Sequence, residues 1–348
     1  MTYCAGWKYR GSVFLIADTA ITKPDKPSLD YSSFGQLHSD TKDGYVQESL
    51  LKLVPISEGT AIGFAGNVAV ASEIIGLLKD NVAYAESARE LTRFADGMGP
   101  FDPKRGVALL IASSTPDGKS ELIKWDTAKG LDKSDADYYE IGSLTSYHAA
   151  LTPSVLKVLA SGSLAVDRVL AIIAAIVQSY GVHDDLIQMN VGGLIFGLST
   201  AQGKVSWQED TNYLLYGPNI SSVSYISAIS RENAVIVNSS LTNDTRVFSH
   251  SVSVDQSTLL SQDWRSKVRE QLDSDSFRYW VFFSLQGKVI TIVIRHNLET
   301  QSKYVRLSHL GEGKFDLAIS PELQAILCQP LEEKNDGSIP FRLNVRND

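Results

Sequence analysis

Apolar residues follow two periods along this chain, and the switches between them mark its organisation. Residues 2–7 and 12–17 are β-rich runs joined by Lys8-Tyr9-Arg10-Gly11, the composition of a hairpin. Thr2 would begin the first strand and Asp18 would close the second. Across 22–48 the pattern lapses. Pro24, Pro27, Gly35 and Gly44 stand among many Ser and Asp residues, which predicts an inserted loop with little regular structure. Strand patterning resumes over 51–56 and 60–65, with Ser57-Glu58-Gly59 as the turn. After Gly66 the period lengthens: Val70, Ile74, Leu77 and Leu78 recur at helical spacing and predict a helix over 67–80. A second helix, 86–95, ends before Gly97-Met98-Gly99-Pro100. Strands are then expected at 107–112, 121–125 and 138–141, helices at 145–151 and 163–180, and a strand pair at 191–198 and 204–207.

Strands, two helices, strands, two helices, strands: with consecutive strands antiparallel, the helices must lie outside packed sheets. The expectation is an α+β fold, a four-layer αββα sandwich, in preference to a parallel doubly wound sheet. From about residue 220 the texture changes. Runs at 234–237, 279–285, 289–294 and 304–307 alternate with polar turns, with one helix candidate near 264–272. The expected domains are 1–224, carrying the insertion, and 225–348, a mostly β appendage of no legible chemistry.

Composition narrows the function classes. The chain has 348 residues, 43% hydrophobic and 21% charged, enough to bury a sizeable core. A net charge of −8, with no basic run interleaved with aromatics, argues against nucleic acid as a partner. Cys4 and Cys328 lie near opposite ends and are too few for a disulfide framework. The apolar run 171–177 is short against the roughly 20 residues that span a bilayer. No signal-peptide pattern stands at the start. The expectation is a cytoplasmic protein with no membrane partner. The six histidines sit near no nucleophile elbow, and no Cys/His or HExxH spacing marks a metal site, so no cofactor is expected.

One combination near the start carries chemistry. A threonine hydroxyl becomes a nucleophile once a base takes its proton. If Met1 is removed, the α-amine of Thr2 is that base, with an ordinary pKa of about 7.7–8.0. A lysine ammonium nearby would lower the amine's pKa, and a carboxylate would orient the lysine. Thr2, Lys52 and Asp18 are the candidates.

These residues stand in local sequences that resemble the proteasome β-subunit family of N-terminal nucleophile hydrolases over about the first two hundred residues. The Thr2-to-Asp18 spacing, Asp18-Thr19, Lys52-Leu53-Val54-Pro55-Ile56 and Gly63-Phe64-Ala65-Gly66 carry the resemblance. The opening Met1-Thr2-Tyr3-Cys4 is particularly similar to the bacterial ancestral β subunit proteasome-like proteins. The resemblance implies a threonine-type peptidase or amidohydrolase in which Gly66 N–H forms the oxyanion hole and Ser143 and Asp185 complete a network around Thr2. It implies an apolar pocket lined by Ile21, Leu50, Val54, Phe64 and Val68, with Thr22 pairing to substrate backbone. It further implies a peptide or protein substrate and a homo-oligomer, while 225–348 lies outside it and is free to recruit another partner. The chain departs from the family in the insertion between Asp18 and Lys52, in Ala20 where arginine is usual, in Leu144-Thr145 after Ser143, and in Gln188. Two other readings stay open: a catalytically silent scaffold or binding module, and a small-molecule amidase of the same fold.

Overall fold

The computed structural model describes residues 2–27, 30–35, 37–42, 44–142, 145–183, 191–217, 223–231, 234–240, 247–253, 266, 270, 276–287, 289–311, 314–329 and 342–348. It is a mixed α+β protein that divides into two compact units. The first comprises Met1–Asp30, His38–Ala174 and Leu186–Gln208; the second comprises Tyr31–Leu37, Ala175–Asp185 and Glu209–Asp348.

The first unit opens with β1 (Tyr3–Tyr9) and β2 (Ser12–Ala17). They form the expected hairpin, but through a two-residue turn shorter than the Lys8-Tyr9-Arg10-Gly11 linker, with Tyr9 opposite Ser12 and positive φ at both Arg10 and Gly11. That is the turn whose twist matches a strand pair. Then come β3 (Ala20–Lys23), β4 (Ser39–Thr41), β5 (Gly44–Glu48), β6 (Leu53–Pro55) and β7 (Thr60–Gly66). Helices α1 (Val68–Asn81) and α2 (Ala88–Asp96) follow. After them run β8 (Val107–Ser114), β9 (Ser120–Asp126), β10 (Gly130–Leu131) and β11 (Tyr138–Gly142). Next are α3 (Thr145–Ala160), α4 (Val166–His183, whose residues from Ala175 on belong to the second unit), β12 (Phe196–Ala201) and β13 (Lys204–Trp207).

Two antiparallel five-stranded sheets result, ordered β11-β1-β2-β12-β13 and β10-β9-β8-β7-β6. Their facing sides share one core in which Cys4, Leu15 and Leu198 of the first sheet meet Leu53, Leu110 and Leu122 of the second. Every residue of β2 is buried, because its other face is covered too. There Trp7 stacks on Phe14 at 5.5 Å. Helices α1 and α2 cover the outer face of the second sheet, where Ile74, Leu78 and Leu91 pack with Ile62, Leu109 and Ile123. Each is capped by its own sequence: Asn67 Oδ1 accepts from Val70 N–H, and Ser87 Oγ from Glu90 N–H.

Several expectations need correction. The 22–48 insertion is partly structured, because β3, β5 and β4 pair into a small sheet. Ala20 and Val46 form a buried apolar contact that loop composition had masked. Helix α3 runs through Pro153 to Ala160, past the expected stop at 151. The strand expected from 191 starts only at Phe196, since Gly192 and Gly193 take φ of 147° and 71°. Helix α4 is long and apolar enough by composition to cross a membrane, unlike the short run 171–177. Most of it is buried in the protein, as in a core helix.

In the second unit β14 (Thr211–Tyr216), β15 (Val223–Arg231), β16 (Ala234–Ser240), β17 (Val247–Ser253), β18 (Tyr279–Ser284), β19 (Val289–Ile294) and β22 (Arg342–Asn347) build a seven-stranded sheet. Strands β20 (Val305–Gly311) and β21 (Lys314–Ile319) pair separately. The helix Pro321–Leu327 puts Leu323 and Leu327 onto a core shared with Trp280 and Phe282. Because β14 already belongs to this sheet, the unit takes up the chain at Glu209, and a division at 224/225 would cut β15. The helix candidate near 264–272 lies largely outside the described residues.

The shared core between the two five-stranded sheets sets the stability of the first unit. Leu15→Ala is expected to cost about 2–5 kcal/mol in urea unfolding, with its cavity left unfilled between facing sheets. A loss below about 0.5 kcal/mol, the range of ordinary surface changes, would show that the sheets do not meet there.

Candidate active site

The register of β1 and β2 ends at Cys4 opposite Ala17, and the chain continues into a backbone bond from Asp18 N–H to Tyr3 O at 3.0 Å. The Asp18 carboxylate turns back across it: Oδ1 accepts from Tyr3 N–H at 3.0 Å and Oδ2 from Gly192 N–H at 3.1 Å. Lys52 Nζ lies 2.5 Å from Asp18 Oδ1 and also donates to the Ala20 carbonyl. Lys52 is held from the other sheet, where its carbonyl accepts from Phe64 N–H at 3.1 Å. Tyr3 N–H belongs to the peptide bond joining Thr2 to Tyr3. The buried ion pair is therefore assembled on the peptide group adjacent to Thr2.

Both charges are sealed from water, with side-chain exposures of 1% for Lys52 and 0% for Asp18. Burial drives the Lys52 ammonium below the ordinary lysine range, opposed by the attraction of Asp18. Burial likewise raises the Asp18 carboxyl, opposed by Lys52 and by the Tyr3 and Gly192 amides. Each partner makes the other's charge tolerable. The neighbouring Cys4 thiol is pushed up by burial and by Asp18, so it stays protonated and inert near neutral pH.

Thr2 itself is buried, 4% exposed, immediately before β1. Gly66 ends β7 in an exposed position with φ of 110°. A Cβ there would lie 2.2 Å from Gly106 O, so only glycine serves. Ile21, Leu50 and Phe64 are brought together in one buried cluster, with Val54 and Val68 packed against it. Thr22 is exposed on β3, at the edge of the sheet ordered β3-β5-β4. Ser143 and Asp185 lie outside the described residues.

Sequence reasoning passed over Glu48 and gave Thr19 only a place in a motif. Thr19 Oγ1 donates to Glu48 Oε1 at 3.0 Å, and Leu194 N–H donates to the same Oε1 at 2.8 Å. The signal was available: in Tyr45-Val46-Gln47-Glu48 the strand period puts Glu48 on the face of buried Val46, an inward-facing charge.

No family model matches this sequence, and no curated protein does. Among solved structures, the crystal structure of eukaryotic HslV from Trypanosoma brucei is similar at 15% identity and a TM-score of 0.37, covering 57% of this chain and 98% of that one. A likeness at that level bears on no residue of the site.

Removing one member of the ion pair strands the other. Lys52→Met alone is expected to cost about 3–5 kcal/mol in urea unfolding, and Asp18→Asn with Lys52→Met together less than the sum of the two singles. Strict additivity would contradict the pairing.

Proposed function

We propose that this chain is a threonine-type hydrolase of peptides, of the N-terminal nucleophile class. In this reading the first unit's stacked sheets and outer helices form the αββα sandwich of that class. The observation that carries the reading is the sealed Lys52–Asp18 pair built onto the peptide group that follows Thr2. A buried lysine is a costly feature, and its placement one peptide from a threonine that can become the first residue suits proton management at that threonine.

In the reaction, Thr2 Oγ1 attacks the scissile carbonyl and passes its proton to the Thr2 α-amine, which later delivers it to the leaving amine. Lys52 keeps that amine neutral enough to act as base, and Asp18 fixes Lys52. The amide N–H of Gly66 stabilises the oxyanion, an interaction typically worth about 3–4 kcal/mol. Water then releases the acyl group from Thr2. An extended substrate would add as a strand along β3 beside Thr22, since β5 pairs β3 on one side only among the described residues. By the resemblance, Ile21, Leu50, Val54, Phe64 and Val68 would line the pocket for an apolar residue before the cleaved bond, although they also pack into the core beneath α1 and α2.

A second reading, a silent scaffold of the same fold, is favoured by the 4% exposure of Thr2. Kinetics on fluorogenic peptides separate the two. Thr2→Ala is expected to lower kcat by about 10³-fold or more, while Thr2→Ser keeps measurable turnover. Equal rates for wild type and Thr2→Ala would leave the scaffold.

A further inference from the structure

Glu48 is a carboxylate that the reaction above does not use, yet it is buried at 9% exposure. It closes β5, and its Oε1 gathers the Thr19 hydroxyl and the Leu194 N–H. Leu194 N–H also reaches Thr19 Oγ1 at 2.9 Å. Thr19 is in turn tied through its backbone. Its N–H donates to Gly192 O at 3.3 Å, and its carbonyl accepts from Ser49 and Leu50 N–H at 2.9 and 3.2 Å. The segment between these anchors leaves no slack. A Cβ on Gly193 would stand 2.6 Å from Thr19 Oγ1 and 3.0 Å from Glu48 Cδ. The same segment presents Gly192 N–H to Asp18 Oδ2.

Glu48 therefore holds the Leu194 end of the unit that carries Asp18's second donor directly, and the Gly192 end through Thr19. In a dry site a carboxylate that loses an N–H donor rises in energy and shifts toward a new partner. Slackening Gly192 would move Asp18, and Lys52 would follow it. We propose that Glu48 is a positioning residue: by fixing Thr19 and Leu194 it keeps the Gly192 amide on Asp18 and so sets the Asp18–Lys52 pair. Its effect on rate rests on the hydrolase reading; its effect on Gly192 does not.

The experiment takes the full chain with Glu48→Ala, Thr19→Val and both together, and reads two quantities. Amide exchange by NMR is expected to quicken at Gly192 by about 10-fold or more in each variant, while Ile111 in β8 keeps its protection. On peptide substrate kcat is expected to fall about 10–100-fold with KM within about 3-fold, because misplacement of a catalytic group acts on turnover. The double variant should lose at least as much as the worse single, since the direct Thr19–Leu194 bond survives Glu48→Ala and goes only when Thr19 changes too. Should Glu48→Ala fail to fold, Thr19→Val is read by the same criteria. Unchanged Gly192 exchange in a folded variant, or an unchanged kcat with only Tm lowered, overturns the proposal. Faster Gly192 exchange in a protein whose wild type and Thr2→Ala forms are equally inactive leaves the tether standing and refutes the hydrolase reading.

Discussion

A lysine and an aspartate almost wholly withdrawn from water constrain everything around them. Taking an ammonium out of water costs several kcal/mol even after relaxation, and attraction to a carboxylate offsets this only when the remaining lone pairs and protons are also answered. Here they are answered from three directions. Tyr3 N–H comes from the first strand, Gly192 N–H from the segment before β12, and the Ala20 carbonyl takes another Lys52 proton. The ends of both five-stranded sheets must converge for that to happen, because Asp18 follows β2 and Lys52 precedes β6. The site is a consequence of how the sheets stack.

That stacking explains why β2 reads as a continuous apolar run. Val13, Leu15 and Ala17 face the second sheet, while Phe14 meets Trp7 on the other side. A strand covered on both faces has no polar alternation to show. Segment 191–194 is equally apolar and has the pattern of a strand. Two glycines with positive φ instead let it fold against Thr19 and Glu48, exchanging sheet pairing for donors to two carboxylates.

Legibility in the sequence followed the range of the interactions involved. Helix α1 was readable because its apolar spacing is local, α2 because the breaker Gly97-Met98-Gly99-Pro100 follows it, and the hairpin β1–β2 because its linker Lys8-Tyr9-Arg10-Gly11 has the composition of a turn. Asp18 and Lys52 were readable as candidates from the residues flanking them, and the structure brings the two into contact across 34 positions. The small β3-β5-β4 sheet was hidden, since Pro24, Pro27 and the serines around them mask the short pairing of Ala20–Lys23 with Gly44–Glu48. Glu48 was legible only in part: its period with Val46 marks an inward face, but its partners Thr19 and Leu194 are 29 and 146 positions away. The start of the second unit was missed because β14 finds its neighbours in β15 and in the distant β18, the latter in parallel.

The central claim is that Thr2 becomes a free N-terminal nucleophile beside the Lys52–Asp18 pair, and the measurement that meets it most directly is the intact mass of the purified native protein. The account predicts a chain lacking Met1, whose first residue is Thr2 with a free α-amine. A mass that retains Met1 on the functional protein would lock that amine in a peptide bond and contradict the account.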